Sequence, residues 1–130
     1  MAEDFGIDLQ AARAFLAAKD RAREEALDLR FAQANADFQA IVALIVERYR
    51  PKRIYQWGSL LDRRRFSEIS DIDIALEGLP DAETYFAILG EAMRMTSFPL
   101  DLVEMEKIGA ENARHIREYG RPVYERPEER

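Results

Sequence analysis

The chain has 130 residues, the length of one ordinary domain, and its 48% hydrophobic and 34% charged content excludes collagen-like, low-complexity and disordered classes. No cysteine is present and His115 is the single histidine, which excludes disulfide scaffolds, thiol catalysis, zinc ribbons and multi-histidine metal sites. A net charge of −6 argues against a nucleic-acid coat protein, so direct nucleic-acid binding is not expected.

From residue 8 to about residue 50 the chain reads as helix, rich in Ala, Leu, Arg, Glu and Gln and free of Gly and Pro. Its second half carries an apolar stripe, Phe31, Ala34, Phe38, Ile41, Ile45 and Tyr49, widened by Val42 and Val46. The stripe reads as core, with an oligomer or partner interface as the alternative. The first half is weaker, with Leu9, Ala12, Phe15 and Leu16 followed by the charged stretch 19–25. Two helices, or one long helix bent near residues 20–30, are expected, ended by Pro51.

The period then changes. Arg53-Ile54-Tyr55-Gln56-Trp57 predicts a strand that stops at Gly58-Ser59, with a short helix from Leu60. Ile72, Ile74 and Leu76 alternate with Asp71, Asp73 and Ala75, which predicts a second strand. Gly78-Leu79-Pro80-Asp81 is a turn into a helix over 82–95, and residues 99–104 form a third strand. A last helix over 110–119 is closed by Gly120, with Pro122 just beyond, a short strand at Val123-Tyr124, and a frayed tail from Glu125. The expected architecture is a mixed α/β (α+β) fold, a small mixed sheet flanked by helices. A helical extension would occupy residues 1–35, the domain 36–125 and a tail 126–130. No apolar run is long enough to cross a bilayer, and the first eight residues hold three acids and no basic segment. No membrane association and no secretory signal are therefore expected, and the cytoplasm is the expected location.

Charge is unevenly spread. Arg48, Arg50, Lys52, Arg53, Arg63, Arg64 and Arg65 stand against one acid, Asp62, a net of +6 that leaves −12 on the remainder. Such a segment suggests an anionic small ligand or one partner face; a solvated charged surface is the plain alternative. On a strand, Asp71 and Asp73 emerge on one face about 7 Å apart, where two carboxylates can converge on a hard cation such as Mg²⁺. The alternative is the wet face of a half-exposed strand. Asp101, flanked by Leu100 and Leu102, would add a third carboxylate if its strand neighbours the first. Such a cluster repels itself unless a cation or a proton neutralises it. Gly58-Ser59 at a strand end presents backbone N–H groups and a hydroxyl suited to phosphate, or else forms a simple turn with a serine cap. His115 falls on a helix away from these residues and reads as a surface histidine; Tyr55 and Trp57 read as strand core.

Gly58-Ser59, followed eleven positions on by Ser70-Asp71-Ile72-Asp73 and then by Asp101 within Leu100-Asp101-Leu102-Val103, resembles the signature of the DNA polymerase β-type nucleotidyltransferase superfamily. Within it, the chain is most similar to minimal nucleotidyltransferases, many of which are antitoxins paired with HEPN-domain ribonuclease toxins. The segment from Ile116 to Tyr124 also looks like the end of that domain, so the resemblance covers about residues 40–125. It implies a nucleotidyltransferase fold in which Asp71, Asp73 and Asp101 hold two Mg²⁺ ions, and Asp101 orients or deprotonates the acceptor hydroxyl. Gly58 and Ser59 would bind the triphosphate of ATP, and the acceptor would be a tyrosine of a HEPN-type toxin, in a homo- or hetero-oligomer. The chain departs from the family pattern at Trp57, where Phe is usual, and after Ser59, where an Arg and a further Gly are usual. Leu60-Leu61-Asp62-Arg63-Arg64-Arg65-Phe66 stands there instead, so one of Arg63, Arg64 or Arg65 would supply the charge. The runner-up is a non-catalytic module of the same fold that neutralises its partner by contact. Transfer to a small molecule ranks below it, because 130 residues leave little room to hold such an acceptor.

Overall fold

A computed structural model describes residues 8–128. Residues 1–7, which carry most of the acidic start, and residues 129–130 of the expected tail lie outside the described residues. The described residues form three α-helices and a four-stranded mixed sheet: α1 Leu9–Arg48, β1 Arg53–Trp57, β2 Ile72–Glu77, α2 Ala82–Met93, β3 Leu100–Glu104, α3 Ala110–Tyr119 and β4 Arg121–Glu125. One turn of 3₁₀ helix, Ser59–Leu61, follows β1.

α1 is a single helix of 40 residues, opened by Asp8, whose carboxylate accepts from the backbone N–H groups of Gln10 and Ala11. The charged stretch does not interrupt it, because all of its residues but Asp20 are strong helix formers and it holds no Gly or Pro. Residue 35 lies inside this helix, whose packing against the core begins at Leu27. Ala34, Phe38, Ile41 and Ile45 are buried, as the apolar stripe requires. Residues 8–26 are exposed throughout.

The strand order is β3-β2-β1-β4, with β2 and β3 parallel and the other pairs antiparallel. The α2 helix supplies the crossover between β2 and β3 that a parallel pair needs. α1 and α2 cover one face, where Ile54, Ile72, Ile74, Leu76 and Leu102 meet Phe38, Ile41, Ile45 and Ile88. α3 packs on the other through Ala113 and Ile116, against Tyr55, Ala75 and Met105. Every residue of β2 is therefore buried, which corrects the expectation that one side of this strand faces water.

Glycine at 120 ends α3 for a different reason from the one expected of a helix stop. Its φ of −80° is open to any residue, but a Cβ there would come within 2.5 Å of the Ile116 carbonyl oxygen and 2.9 Å of that of Gln56. Close approach of α3 to β1 fixes this residue. The segment after it is firmer than expected: Glu125 ends β4, the Arg126 N–H donates to the Lys52 carbonyl at 2.9 Å, and its guanidinium donates to that of Arg50. Among the described residues no helix is long and apolar enough to cross a membrane.

Candidate functional site

Two neighbouring strands, β2 and β3, bring the acidic residues of the motif together. Asp73 pairs in register with Asp101 across β2 and β3, and with Trp57 across β1 and β2, so Asp101, Asp73 and Trp57 form one row across the sheet. The next row on the same face is Val103, Ala75 and Tyr55. Asp71 stands two residues before Asp73, ahead of the first β2–β3 pair, and is half-buried. The expected face of three carboxylates is thus an in-register pair with a third at its rim.

Asp73 is not the solvent-facing residue expected; only 9% of it is exposed. Burial, then the charge of Asp101, then that of Asp71 push its carboxyl up to about 7. Glu77, four residues along the same strand and face, is also buried, and burial pushes its carboxyl up too. There, hydrogen bonds from Arg53 and Arg117 outweigh burial and hold the group below its ordinary value. No ion pair among the described residues involves Asp71, Asp73 or Asp101. One end of β2 is neutralised by guanidinium groups, and the other gathers negative charge with no basic side chain among the described residues paired to it.

Gly58 completes this end. Its φ of +81° lies in the left-handed region, and a Cβ built on it would come within 2.0 Å of Asp73 Oδ2. The Asp73 carboxylate therefore rests against bare Gly58 Cα. Ser59 follows at the start of the 3₁₀ turn, where the Leu61 N–H donates to the Gly58 carbonyl at 3.2 Å.

The three arginines of the next loop diverge. Arg63 donates to Asp28 Oδ1 at 2.6 Å and to Glu24 Oε2 at 3.0 Å, both on α1, and so ties this loop to the helix. Phe66 anchors the same loop, buried with its ring edge-on to Phe31. Arg64 is 90% exposed and pairs with Asp62, whose carboxyl is held low by hydrogen bonds from the Arg64 backbone and side chain. Arg65 lines a cavity of about 180 Å³ together with Trp57, Gly58, His115 and Tyr119. Of the other basic residues of this stretch, Arg48 pairs with Glu91 and Arg53 with Glu77 and Glu125, while Arg50, Lys52 and Arg53 line one cavity together with Glu125 and Arg126.

His115, read from sequence as remote, lines this cavity beside Gly58. Asn112, His115, Ile116 and Tyr119 recur at helical spacing along α3, a visible signal. What that face meets depends on how α3 docks, which spacing does not reveal.

The donor set suits a hard divalent cation: carboxylate oxygens of one sign, one of them buried without a basic partner in a cradle that a Cβ would fill. Among the described residues no group of three or more His, Cys, Asp or Glu side chains forms a ready metal cage. Mg²⁺ is commonly bound by one or two carboxylates with waters and substrate phosphates, and a pair meets that requirement. Compared with known protein families and with curated proteins, the chain matches none.

Proposed function

We propose that this protein is a magnesium-dependent nucleotidyltransferase with the fold of the DNA polymerase β type. It would transfer AMP from ATP to a tyrosine hydroxyl of a HEPN-type toxin and act as the antitoxin. The observation that carries the reading is the contrast along β2: buried Glu77 is met by two arginines, whereas buried Asp73 meets two carboxylates and no cation. An anionic cluster with a buried member is costly unless a cation or a proton joins it, and the motif of glycine turn, paired aspartates and third aspartate supports a cation used in nucleotidyl transfer. The antitoxin role rests on the sequence resemblance.

Asp73 and Asp101 would hold the magnesium, with Asp71 at the rim. Bound magnesium supplies charge compensation on the phosphates and stabilises the attacking and leaving oxygens of an in-line displacement. Gly58 lets the backbone come close to the triphosphate, Ser59 offers it a hydroxyl, and Arg65 adds positive charge beside the same turn. The acceptor oxygen bonds to the α-phosphorus as the bond to pyrophosphate breaks. Asp101, less buried than Asp73, takes the hydroxyl proton.

The test is transfer of α-labelled AMP from ATP, with Mg²⁺, to the protein encoded beside this one. Label on the partner, lost in Asp73→Asn, is expected. A partner bound and silenced without label, equally well by Asp73→Asn, would replace this reading with neutralisation by contact. Equal labelling by wild type and Asp73→Asn would remove the metal assignment.

A further inference from the structure

We infer that the outward face of α1 is the seam on which a second copy of this chain packs, with the two helices antiparallel. The inference goes beyond the nucleotidyltransferase reading and does not depend on it.

α1 packs on its own domain along one side only. Ala34, Phe38, Ile41 and Ile45 face the core, whereas residues 8–26 are exposed on every side. Most of the stability of a helix in a protein comes from packing one face, and Leu9–Ala26, about 27 Å of helix, meets almost nothing within one chain.

The side turned away from the core is apolar. From Ala11 to Ala36 one row advances alternately by four and three residues, the step of a heptad. Phe15 and Leu29 are its large members, Glu25 is its one charged member, and the rest are alanine. Every residue of the row is exposed, Phe15 by 67% and Leu29 by 74%. Size selects the register. With the two helices antiparallel and centred between Arg23 and Glu24, Phe15 of one copy meets Ala32 of the other, Leu29 meets Ala18, and Ala11 meets Ala36. Each large side chain then fills the space that a small one leaves.

Charge selects the direction and the occupant. Along this face Lys19 and Arg21 lie before that centre, and Glu25 and Asp28 lie after it. Antiparallel packing sets the basic half of one copy on the acidic half of the other, whereas parallel packing in register sets like charge on like. Among the described residues Lys19, Arg21 and Glu25 make no ion pair within the chain, and Asp28 meets Arg63 through Oδ1. The row of Asp73 and Asp101 lies on the sheet face that α3 covers, away from α1, so both sites stay open in the pair.

Sedimentation of the full-length protein is expected to give a dimer with a Kd of about 10 µM or tighter. Leu29→Glu and Ala18→Glu, both at exposed positions, are each expected to be monomeric there and to keep the wild-type urea midpoint in dilute solution. Arg21→Glu is expected to weaken the dimer ~10-fold, and adding Glu25→Arg to recover part of that loss. The chain has no cysteine, so a spin label can be carried by Ala11→Cys alone. The two labels are expected roughly 40 Å apart, the rise from residue 11 to residue 36. A separation under ~20 Å would mean parallel helices and overturn the inference. A protein still monomeric at ~200 µM, or a dimer left intact by Leu29→Glu and Ala18→Glu, would also overturn it. So would a monomer whose label is immobilised only when the protein encoded beside this one is added, a result that assigns the face to that partner.

Discussion

Burial and two neighbouring carboxylates act on Asp73 in the same direction, and the metal-free protein bears the cost. Its carboxyl sits at about 7 in the fold against an ordinary value of 3.8, so between those limits the native state holds more protons than the unfolded chain. The contribution of Asp73 is therefore most favourable below pH ~4, and it declines as pH rises to ~7 by up to about 4 kcal/mol. With chelator present, Asp73→Asn is expected to be more stable than wild type at pH 8, by an advantage that shrinks towards pH 5. Urea unfolding across that range checks this, and a difference independent of pH would refute it. Gly58→Ala is expected to cost about 2 kcal/mol or more, from positive φ and collision with the Asp73 carboxylate. The same change should cost less in an Asp73→Ala background, as a double-mutant cycle would show. Alternation along β2 made Asp71 and Asp73 visible in the sequence. The burial of Asp73 was not, because it depends on α3 and the Gly58 turn closing over that face.

Strands and helices were legible where period and punctuation agreed. Arg53–Trp57 and Ala110–Tyr119 lie where alternation and the Gly120-Pro122 stop indicate. β4 extends past Val123-Tyr124 to Arg121–Glu125, because pairing with β1 recruits residues whose own pattern is polar. The loop from Asp62 to Phe66 was the least legible element. Three consecutive arginines look equivalent in sequence, and only the position of α1 separates their roles. Arg63→Ala is expected to leave nucleotide binding unchanged and to cost no more than about 1 kcal/mol, since its acidic partners are exposed. Arg65→Ala is expected to weaken ATP binding several-fold without altering unfolding. Dialysis and urea titration on the two variants separate strut from ligand, and the reverse result would move the phosphate contact to Arg63.

In the molecule taken whole, α1 is the feature that composition announces and packing explains only in part. Helix propensity made the helix legible, and the weaker apolar pattern of its first half goes with first turns that are exposed. Removing residues 1–22 deletes no described residue packed on the core. Measured in dilute solution, where the protein is monomeric, the shortened chain is expected to lose helical circular dichroism and less than about 1 kcal/mol of stability. A larger loss would mean that the projecting helix is covered in the monomer too. α1 and α2 on one face and α3 on the other leave the Asp73–Asp101 end of β2 without a basic partner among the described residues, and the functional reading depends on what balances that charge. Calorimetric titration of Mg²⁺ with a non-hydrolysable ATP analogue into wild type and Asp73→Asn at pH 8 addresses this. Saturable binding by wild type that disappears in Asp73→Asn is the expected result, and equal binding by the two proteins would contradict it.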